Sequence, residues 1–274
     1  MSTIKVYFLG TGTSQGIPVI GSNHSVCLSN DSKDKRLRVS VWIYSEDFSI
    51  VIDCGPDFRQ QMLTSKCNYL DALLFTHEHA DHTAGLDDIR PFYFKQGPIP
   101  LYAHKRVLDN LEKRFDYIFV NENKYPGAPS VTQMEVKENE GFKIKNQWIE
   151  PINASHGNLQ VFGYQIEGFV YLTDVKTVAV AEINKIKNCK VLVINCLREE
   201  PHHSHFNLEE ALDFISLVQP NRLVPLAKHV GRRPFFMVRH ISGYWRLHWL
   251  RNQSLDQVVQ HHPSRHTWVA LLTA

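Results

Sequence analysis

Long apolar runs, a cysteine framework and internal repeats are what this sequence lacks. No stretch approaches the roughly 20 apolar residues that a membrane helix requires. The N-terminal MSTIKVYFLGTGTSQG has no charged segment followed by an apolar run, so no secretory signal is expected. The five cysteines are odd in number and widely scattered, which is typical of reduced thiols rather than of disulfide bonds. We therefore expect a soluble, cytoplasmic protein that makes no membrane contact.

Charge is unevenly distributed along the chain, although the formal net charge is only +2. Residues 1–221 hold 22 basic and 27 acidic residues, whereas residues 222–274 hold eight basic residues and one acidic residue, Asp256. Lysine predominates before this break and arginine after it. We predict a main domain at residues 1–221 and an atypical basic segment at residues 222–274. The segment is either the last part of the same fold or a replaced, frameshifted tail, and an added segment that contacts nucleic acid is a less favoured alternative.

Short apolar runs alternate with helical patterns through residues 1–221. Helices are predicted at residues 86–94, 178–186 and 207–218, the last with Asn207 as its N-terminal cap. Strands are predicted at residues 4–9, 39–44, 50–53, 70–76, 148–152, 162–166, 169–173 and 190–195. This alternation predicts a layered α/β protein.

The segment HEHADH, at residues 77–82, places three imidazoles and two carboxylates in six residues directly after a predicted strand. Neutral imidazole and carboxylate are standard ligands of Zn²⁺. We expect His77 and His79 to point to one side, and Asp81 and His82 to reach a second ion from the following turn. A solvated histidine-rich loop or an affinity tag is the alternative, but a tag would not carry carboxylates at fixed offsets after a buried strand. The segment therefore predicts a metal site.

HEHADH resembles the HxHxDH signature of the metallo-β-lactamase superfamily. The resemblance implies an αββα sandwich of four layers, with the metal site at one edge in loops that follow strands. Two zinc ions are implied, and Mn²⁺ would suit the same ligands. Asp53, which ends a predicted strand, is implied to support the metal loop without binding metal. The implied metal ligands are His77, His79 and His156 for one ion, Asp81 and His82 for the other, and Asp174 as the bridge between them.

The segments TGTSQGIPV, SNHSVC and RLRVSVWI look most like the phosphoribosyl 1,2-cyclic phosphate phosphodiesterase group. This resemblance implies a metal-dependent hydrolase that cleaves a small or cyclic phosphodiester by two-metal water activation. Asp81 would also orient the nucleophile, and His205, with a pKa near neutrality, would protonate the leaving oxygen. The neighbouring His202 and His203 leave a solvated histidine cluster as the alternative for this segment.

Other activities remain open at this point. An RNA-processing nuclease or a thioester hydrolase would keep the same metal residues, and a catalytically impaired binding protein would lack one ligand. A small phosphodiester is the expected partner, nucleic acid is not favoured, and a homodimer is left open.

The chain departs from the pattern of this group in two places. Where the group has a CxCxxC zinc motif, this sequence has Ser22, His24 and Cys27, which leaves two plausible ligands for a structural zinc. Where the group has a histidine pair in a THISH-like pattern, His229 has nearly the expected spacing, and His240 has partly the expected neighbours. Either histidine is a candidate to complete the second metal site.

Overall fold

The computed structural model describes residues 4–120, 122–227, 240–241, 244–245, 259–261 and 268–272. Within these residues, two large mixed sheets pack face to face, and β14 (His240–Ile241) and β15 (Tyr244–Trp245) form a separate pair. No helix among the described residues is long and apolar enough to cross a membrane.

The first sheet contains eight strands of the described chain, in the order β16-β17-β1-β2-β3-β4-β5-β6. The strands β3 to β6 run parallel to one another, and the remaining neighbours are antiparallel. The bounds are β1 (Ile4–Gly10), β2 (Ser40–Tyr44), β3 (Ser49–Ile52), β4 (Ala72–Leu74), β5 (Ile99–Ala103), β6 (Val131–Glu135), β16 (Val259–His261) and β17 (Trp268–Leu272).

The second sheet has the order β11-β8-β9-β10-β12-β13, and β7 pairs with β8. The strands β8, β10 and β12 share one direction, because β9 lies antiparallel to both β8 and β10 while β10 and β12 are parallel. The bounds are β7 (Phe142–Ile144), β8 (Gln147–His156), β9 (Leu159–Ile166), β10 (Phe169–Leu172), β11 (Thr177–Val178), β12 (Val191–Cys196) and β13 (Leu223–Ala227).

Helices cover the outer face of each sheet, which gives the αββα layering implied by the resemblance. One apolar cluster, including Val41 and Tyr164, fills the space between the sheets. Two further clusters lie on the outer faces and include residues from the covering helices, such as Leu108 on the first sheet and Phe214 on the second. The helices are α1 (Ser25–Leu28), α2 (Phe58–Ser65), α3 (Ala80–Thr83), α4 (Arg90–Gln96), α5 (Lys105–Arg114), α6 (Asp116–Phe119), α7 (Val180–Ile186) and α8 (Leu208–Val218), with 3₁₀ turns at Ser32–Asp34 and Leu86–Ile89.

The strand directions bring the carboxyl ends of β3 and β4 in the first sheet, and of β8 and β10 in the second, to one edge of the sandwich. Asp53 follows β3 and His77 follows β4, and these strands are parallel neighbours in the first sheet. His156 ends β8 and Asp174 follows β10, both in the second sheet. The two sheets touch directly here, because the Phe162 amide donates to the Thr76 carbonyl at 3.0 Å. Side chains that are far apart in sequence therefore meet at this edge.

All eight predicted strands and all three predicted helices are confirmed in position. The predicted helix at residues 86–94 is divided into the 3₁₀ turn and α4, whose second residue is Pro91. Proline lacks a backbone N–H, so it is favoured in the first turn of a helix. The capping prediction is also confirmed, because the Asn207 side chain accepts from the Glu210 amide at 2.9 Å, and Glu210 bonds back to the Asn207 amide.

The described parts of the predicted segment 222–274 belong to the two large sheets and the β14–β15 pair. The strand β13 extends the second sheet beside β12, and β17 extends the first sheet beside β1. The boundary near residue 221 and the origin of the segment stay predictions.

Candidate metal centre

Three imidazoles converge at the sheet edge, from two different strands. The ligand atoms of His77, His79 and His156 lie within 4.8 Å of one another. The Nε2 atom of His77 and the Nδ1 atom of His79 face each other at 2.9 Å. His77 is fully buried at the end of β4, and His156 is 9% exposed at the end of β8. The structure thus brings together the three histidines that were predicted to share one ion.

His82 occupies the neighbouring position and contacts three carboxylates. Its Nδ1 lies 2.7 Å from Asp53 Oδ2, and its Nε2 lies 3.2 Å from Asp174 Oδ2 and 3.3 Å from Asp81 Oδ2. The ligand atoms of His77, His82 and Asp174 form a second group within 4.8 Å. Because His77 belongs to both groups, the two predicted metal positions are adjacent.

Asp53 is fully buried, and it joins the metal loop to the strand that precedes it. Its carboxylate accepts from the Thr76 amide at 2.9 Å and from the Thr76 hydroxyl, in addition to the contact with His82. Asp53 and Asp174 both have a left-handed backbone, with φ of 67° and 55°. Non-glycine residues with positive φ are uncommon and cluster at functional sites. The supporting role predicted for Asp53 agrees with these contacts.

The carboxylates around His82 change its protonation in the metal-free protein. Burial alone would lower the pKa of His82, but the negative charge of Asp53 and its hydrogen bond to the ring, together with Asp81, raise the pKa to about 9. A buried cation between carboxylates is thereby stable without metal. A metal ion would compete with this proton for the same nitrogen.

His205 lies beside the histidine group, at the start of the turn that leads into α8. Its ring is 4.5 Å from that of His156, centroid to centroid, and its ligand nitrogen falls within 4.8 Å of His156 and Asp174. Burial, followed by the positive charges of His156 and His202, lowers the pKa of His205 to about 3. The expected pKa near neutrality is therefore wrong for the metal-free site. The imidazole is neutral there and can still donate one N–H.

These donors fit zinc in number, type and separation. Nitrogens bound tetrahedrally to one zinc at 2.0–2.1 Å lie about 3.3 Å apart, so groups within 4.8 Å need only small adjustments. The Nδ1 atom of His156 lies 2.7 Å from the Ser204 carbonyl oxygen, which leaves Nε2 for a metal. Such a bond from the second ring nitrogen is the usual way in which proteins orient a metal-binding histidine.

Two arginines on α5 hold the metal loop, and sequence reasoning missed both. Arg106 Nε lies 3.1 Å from the Glu78 carboxylate, and Arg114 donates to the Glu78 carbonyl at 3.1 Å and to the Thr83 hydroxyl at 2.8 Å. Glu78 therefore anchors the loop to α5. The spacing of Arg106 and Arg114 along one helix face was the only available signal, and it is equally typical of a solvated helix.

The two departures from the group pattern have different outcomes. His24 accepts from the Val26 amide and caps α1, and Cys27 Sγ accepts from the Val19 amide, but neither joins a group of three metal ligands within the described chain. A structural zinc at these two residues stays a prediction. His229 lies outside the described residues, and only the backbone of His240, in β14, is described.

Comparisons with known proteins place this arrangement in a family. The model of the β-lactamase superfamily domain matches residues 49–226, which include all of the predicted metal ligands. A solved structure titled as a new diphosphatase from the PhnP family has 30% sequence identity and a TM-score of 0.78, and the match covers 85% of this chain and 89% of that one.

Two curated relatives carry different names. An octanoyltransferase of Porphyromonas gingivalis is 42% identical over 217 residues, which are 78% of this chain and 44% of that protein. A ribonuclease Z of Bacillus velezensis is 25% identical over 169 residues, which are 60% of this chain and 49% of that protein. The chain thus spans about half the length of these curated relatives.

Proposed function

The chain belongs to the β-lactamase superfamily domain family, and from this premise we propose that it is a metal-dependent phosphodiesterase acting on a small phosphodiester. The observation that carries the proposal is the pair of adjacent ligand groups that share His77, with His205 beside them. Enzymes that cleave phosphate esters commonly hold two adjacent divalent ions, which stabilise the attacking and the leaving oxygen.

We propose that zinc is the bound metal, at His77, His79 and His156 and at Asp81, His82 and Asp174. Divalent ions at these positions would neutralise the phosphate charge and activate water for attack. The chain itself would orient the attacking water through Asp81, whose carboxylate is partly exposed beside His82. Asp53 would keep the His82 ring fixed throughout.

His205 is the group that we place at the leaving oxygen. Its ring packs against His156, and its Nδ1 is buried and makes no hydrogen bond among the described residues. An unpaired buried nitrogen costs free energy until a ligand satisfies it. Because the ring is neutral in the metal-free protein, we propose that the approaching anionic substrate stabilises its protonated form, which then donates to the departing oxygen.

The names of the relatives define the rival activities. The diphosphatase title adds diphosphates, with a P–O–P bridge, to the substrates that this site could accept. Ribonuclease Z points to RNA, which the arginine-rich residues 222–274 would also suit. The name octanoyltransferase belongs to a protein of which less than half is matched, so we give acyl transfer the lowest weight.

A substrate panel on zinc-reconstituted protein tests the proposal. The panel contains a cyclic phosphodiester, methyl 4-nitrophenyl phosphate, a symmetric dialkyl diphosphate, an acyl thioester and an RNA transcript. We expect hydrolysis of the small phosphorus substrates, and loss of that hydrolysis in the variant His77→Ala. Cleavage of the thioester alone, or of RNA alone, would contradict the proposal.

A further inference from the structure

Arg106, near the start of α5, contacts both of the chain segments that carry the three imidazoles of the first proposed metal position. Its Nε lies 3.1 Å from the Glu78 carboxylate, and its Nη2 donates to the Gln160 carbonyl at 2.7 Å. Glu78 belongs to the metal loop, residues 77–82. Gln160 is the second residue of β9, which pairs with β8 to form the hairpin that carries His156 (the His156 hairpin). One guanidinium therefore connects the metal loop to this hairpin.

The His156 hairpin is a closely joined unit, so a contact at Gln160 also acts on His156. Eight residue pairs join β8 to β9, and His156 lies opposite Leu159 in the last of them. Gln160 comes next along β9, and its side chain donates to Asn153 Oδ1 in β8 at 3.1 Å. The place at which the Gln160 carbonyl is held therefore sets the place of the imidazole at the end of β8.

A backbone hydrogen bond already joins the two segments farther from the ligands. The Phe162 amide donates to the Thr76 carbonyl at 3.0 Å. Two residues onward from Thr76 is Glu78, and two residues back from Phe162 is Gln160. A single bond lets two segments pivot about it, whereas a second connection two residues away fixes the angle between them. Arg106 makes that second connection, on the side of the metal ligands.

The ion that the two segments share tolerates little change in their separation. The rings of His79 and His156 lie 5.3 Å apart, centroid to centroid. Zinc requires each nitrogen at about 2.0–2.1 Å, and a site of this kind works only when its ligands are held to within about 0.5 Å. A guanidinium is planar and presents its N–H groups in fixed directions, whereas an ammonium is a compact point charge. Arg106 can therefore hold two partners at a set separation.

Arg114, on the same helix, makes contacts of a different kind. It donates to the Glu78 carbonyl and to the Thr83 hydroxyl, and neither residue belongs to the His156 hairpin. Arg114 thus ties the loop to α5, whereas Arg106 ties the loop to the segment that bears the third imidazole.

We propose that Arg106 is a positioning residue for the three-imidazole metal position: it sets the separation between the metal loop and the His156 hairpin, and thereby the affinity for the ion that both segments bind. This inference rests on the metal assignment within the proposed function, and it is independent of the substrate. Charge alone would act in the opposite direction, because removing a cation near a divalent ion strengthens the binding of that ion. The direction of the change in zinc affinity therefore separates positioning from electrostatics.

Chelator competition on two variants measures that direction. Arg106→Met keeps an unbranched side chain and removes both donors, whereas Arg106→Lys keeps the charge and removes the planar guanidinium. We expect Arg106→Met to bind the first zinc about 10- to 100-fold more weakly than the wild type, the range for loss of a group that supports a metal ligand. Arg106→Lys should also bind more weakly. The control Lys105→Met removes an exposed cation from the same helix and should change the affinity by less than about twofold, because solvent and salt screen exposed charges.

Cobalt(II) in place of zinc reports the ligand geometry through its visible absorption. With one equivalent of cobalt, the spectrum of Arg106→Met should move from that of the wild type towards that of His156→Ala, which has lost the hairpin ligand. A residue that only stabilises the fold would lower the midpoint of thermal unfolding and leave the cobalt spectrum unchanged.

Zinc binding by Arg106→Met that is as tight as in the wild type, or tighter, would overturn the inference. Wild-type affinity in Arg106→Lys would also overturn it, because charge would then be sufficient, and this variant decides the matter if Arg106→Met does not fold. None of these measurements uses turnover. A wild-type protein that binds zinc but cleaves no phosphodiester would sink the proposed function alone, whereas zinc binding that is unaffected by His77→Ala would sink both.

Discussion

His82 is the residue at which contacts from both sheets converge. Its protonation affects the stability of the metal-free protein. Asp53 follows a strand of the first sheet and Asp174 follows a strand of the second, and both carboxylates reach the same ring. Without metal the ring holds a proton that the carboxylates stabilise. A zinc ion in the same place would take over that role.

The opposite pKa shifts of His82 and His205 predict a stability maximum for the metal-free protein near pH 6.5. His82 is raised from 6.5 to about 9, so its contribution is complete below pH 6.5 and is lost as the pH rises to 9. His205 is lowered from 6.5 to about 3, so stability is lost as the pH falls from 6.5 towards 3. The alkaline loss from His82 should be on the order of 3 kcal/mol.

Chemical denaturation of chelator-treated protein across pH 4 to 9 measures this profile. In Asp53→Asn the decline above pH 6.5 should flatten, because the charge that raises the pKa of His82 is gone. A free energy of unfolding that rises steadily from pH 6.5 to 9 would contradict the assignment.

Asp81 is expected to be essential for turnover but not for folding. Its side chain is partly exposed and contacts His82, whereas the three-imidazole group does not include it. We predict that Asp81→Ala lowers kcat by about 10²- to 10⁴-fold, because the variant loses a metal ligand and the group that orients the attacking water; this is the range for removal of a positioned acid or base. The midpoint of thermal unfolding should remain close to that of the control Asp109→Ala, which alters an exposed carboxylate on α5. Wild-type activity with two bound ions in Asp81→Ala would refute the role.

At the residue scale, HEHADH and the family resemblance predicted which side chains lie at the site, whereas several contacts that depend on the tertiary fold were missed. HEHADH carries its ligands within six residues, so type and spacing were enough. The anchoring of His156 by the Ser204 carbonyl depends on contact between the turn before α8 and the end of β8. The low pKa of His205 likewise depends on burial beside other histidines, which no local pattern indicates.

At the scale of elements, the metal loop is packed closely against the turn that follows β3. A Cβ atom on Gly55 would lie 2.0 Å from the Asp81 carbonyl oxygen, which is a backbone atom and cannot rotate away as a flexible side chain can. We predict that Gly55→Ala destabilises the protein by about 1–3 kcal/mol, as overpacking does, and weakens zinc binding. Denaturant unfolding and zinc titration measure the two effects.

Gly127→Ala is the matched control for this substitution. Its Cβ would meet only the ring of Tyr125, a largely exposed side chain that can move. If both alanine variants were equally stable and bound zinc equally, close packing of the loop would not be what positions Asp81.

Elements with apolar, strand-length runs were predictable, and elements with weak patterns were not. The strand β5 contains Pro100, a residue that argues against a strand when only the sequence is read. The edge strand β6 is almost wholly exposed, so it lacks the alternation that marks a half-buried strand. The helix α5 is rich in charge and buries only Val107, Leu108 and Leu111. The helix α5 carries both arginines that hold the metal loop, which is why the loop's support was missed.

At the scale of the whole molecule, the two metal positions differ in the ligands that the described chain supplies. The first proposed position has three imidazoles, whereas the ligands proposed for the second are His82, Asp81 and Asp174, whose carboxylates lie 3.3 Å and 3.2 Å from His82 Nε2. We predict one tight and one weaker zinc site in a calorimetric titration of metal-free protein, because the group pattern expects a further histidine at the second site.

The variants His229→Ala and His240→Ala identify any contribution from residues 222–274. Two tight sites in the wild type, with one of them lost in either variant, would show that this segment completes the centre. Two tight sites unaffected by both variants would contradict the predicted need for a further histidine.

The proposed function requires that metal bound at HEHADH promotes cleavage at phosphorus. The most direct measurement follows hydrolysis of methyl 4-nitrophenyl phosphate while zinc is added stepwise to metal-free protein. We predict no hydrolysis before metal is added, a rise that is complete only after the second equivalent, and no rise in His77→Ala. Hydrolysis by metal-free protein, or an unchanged rise in His77→Ala, would contradict the account.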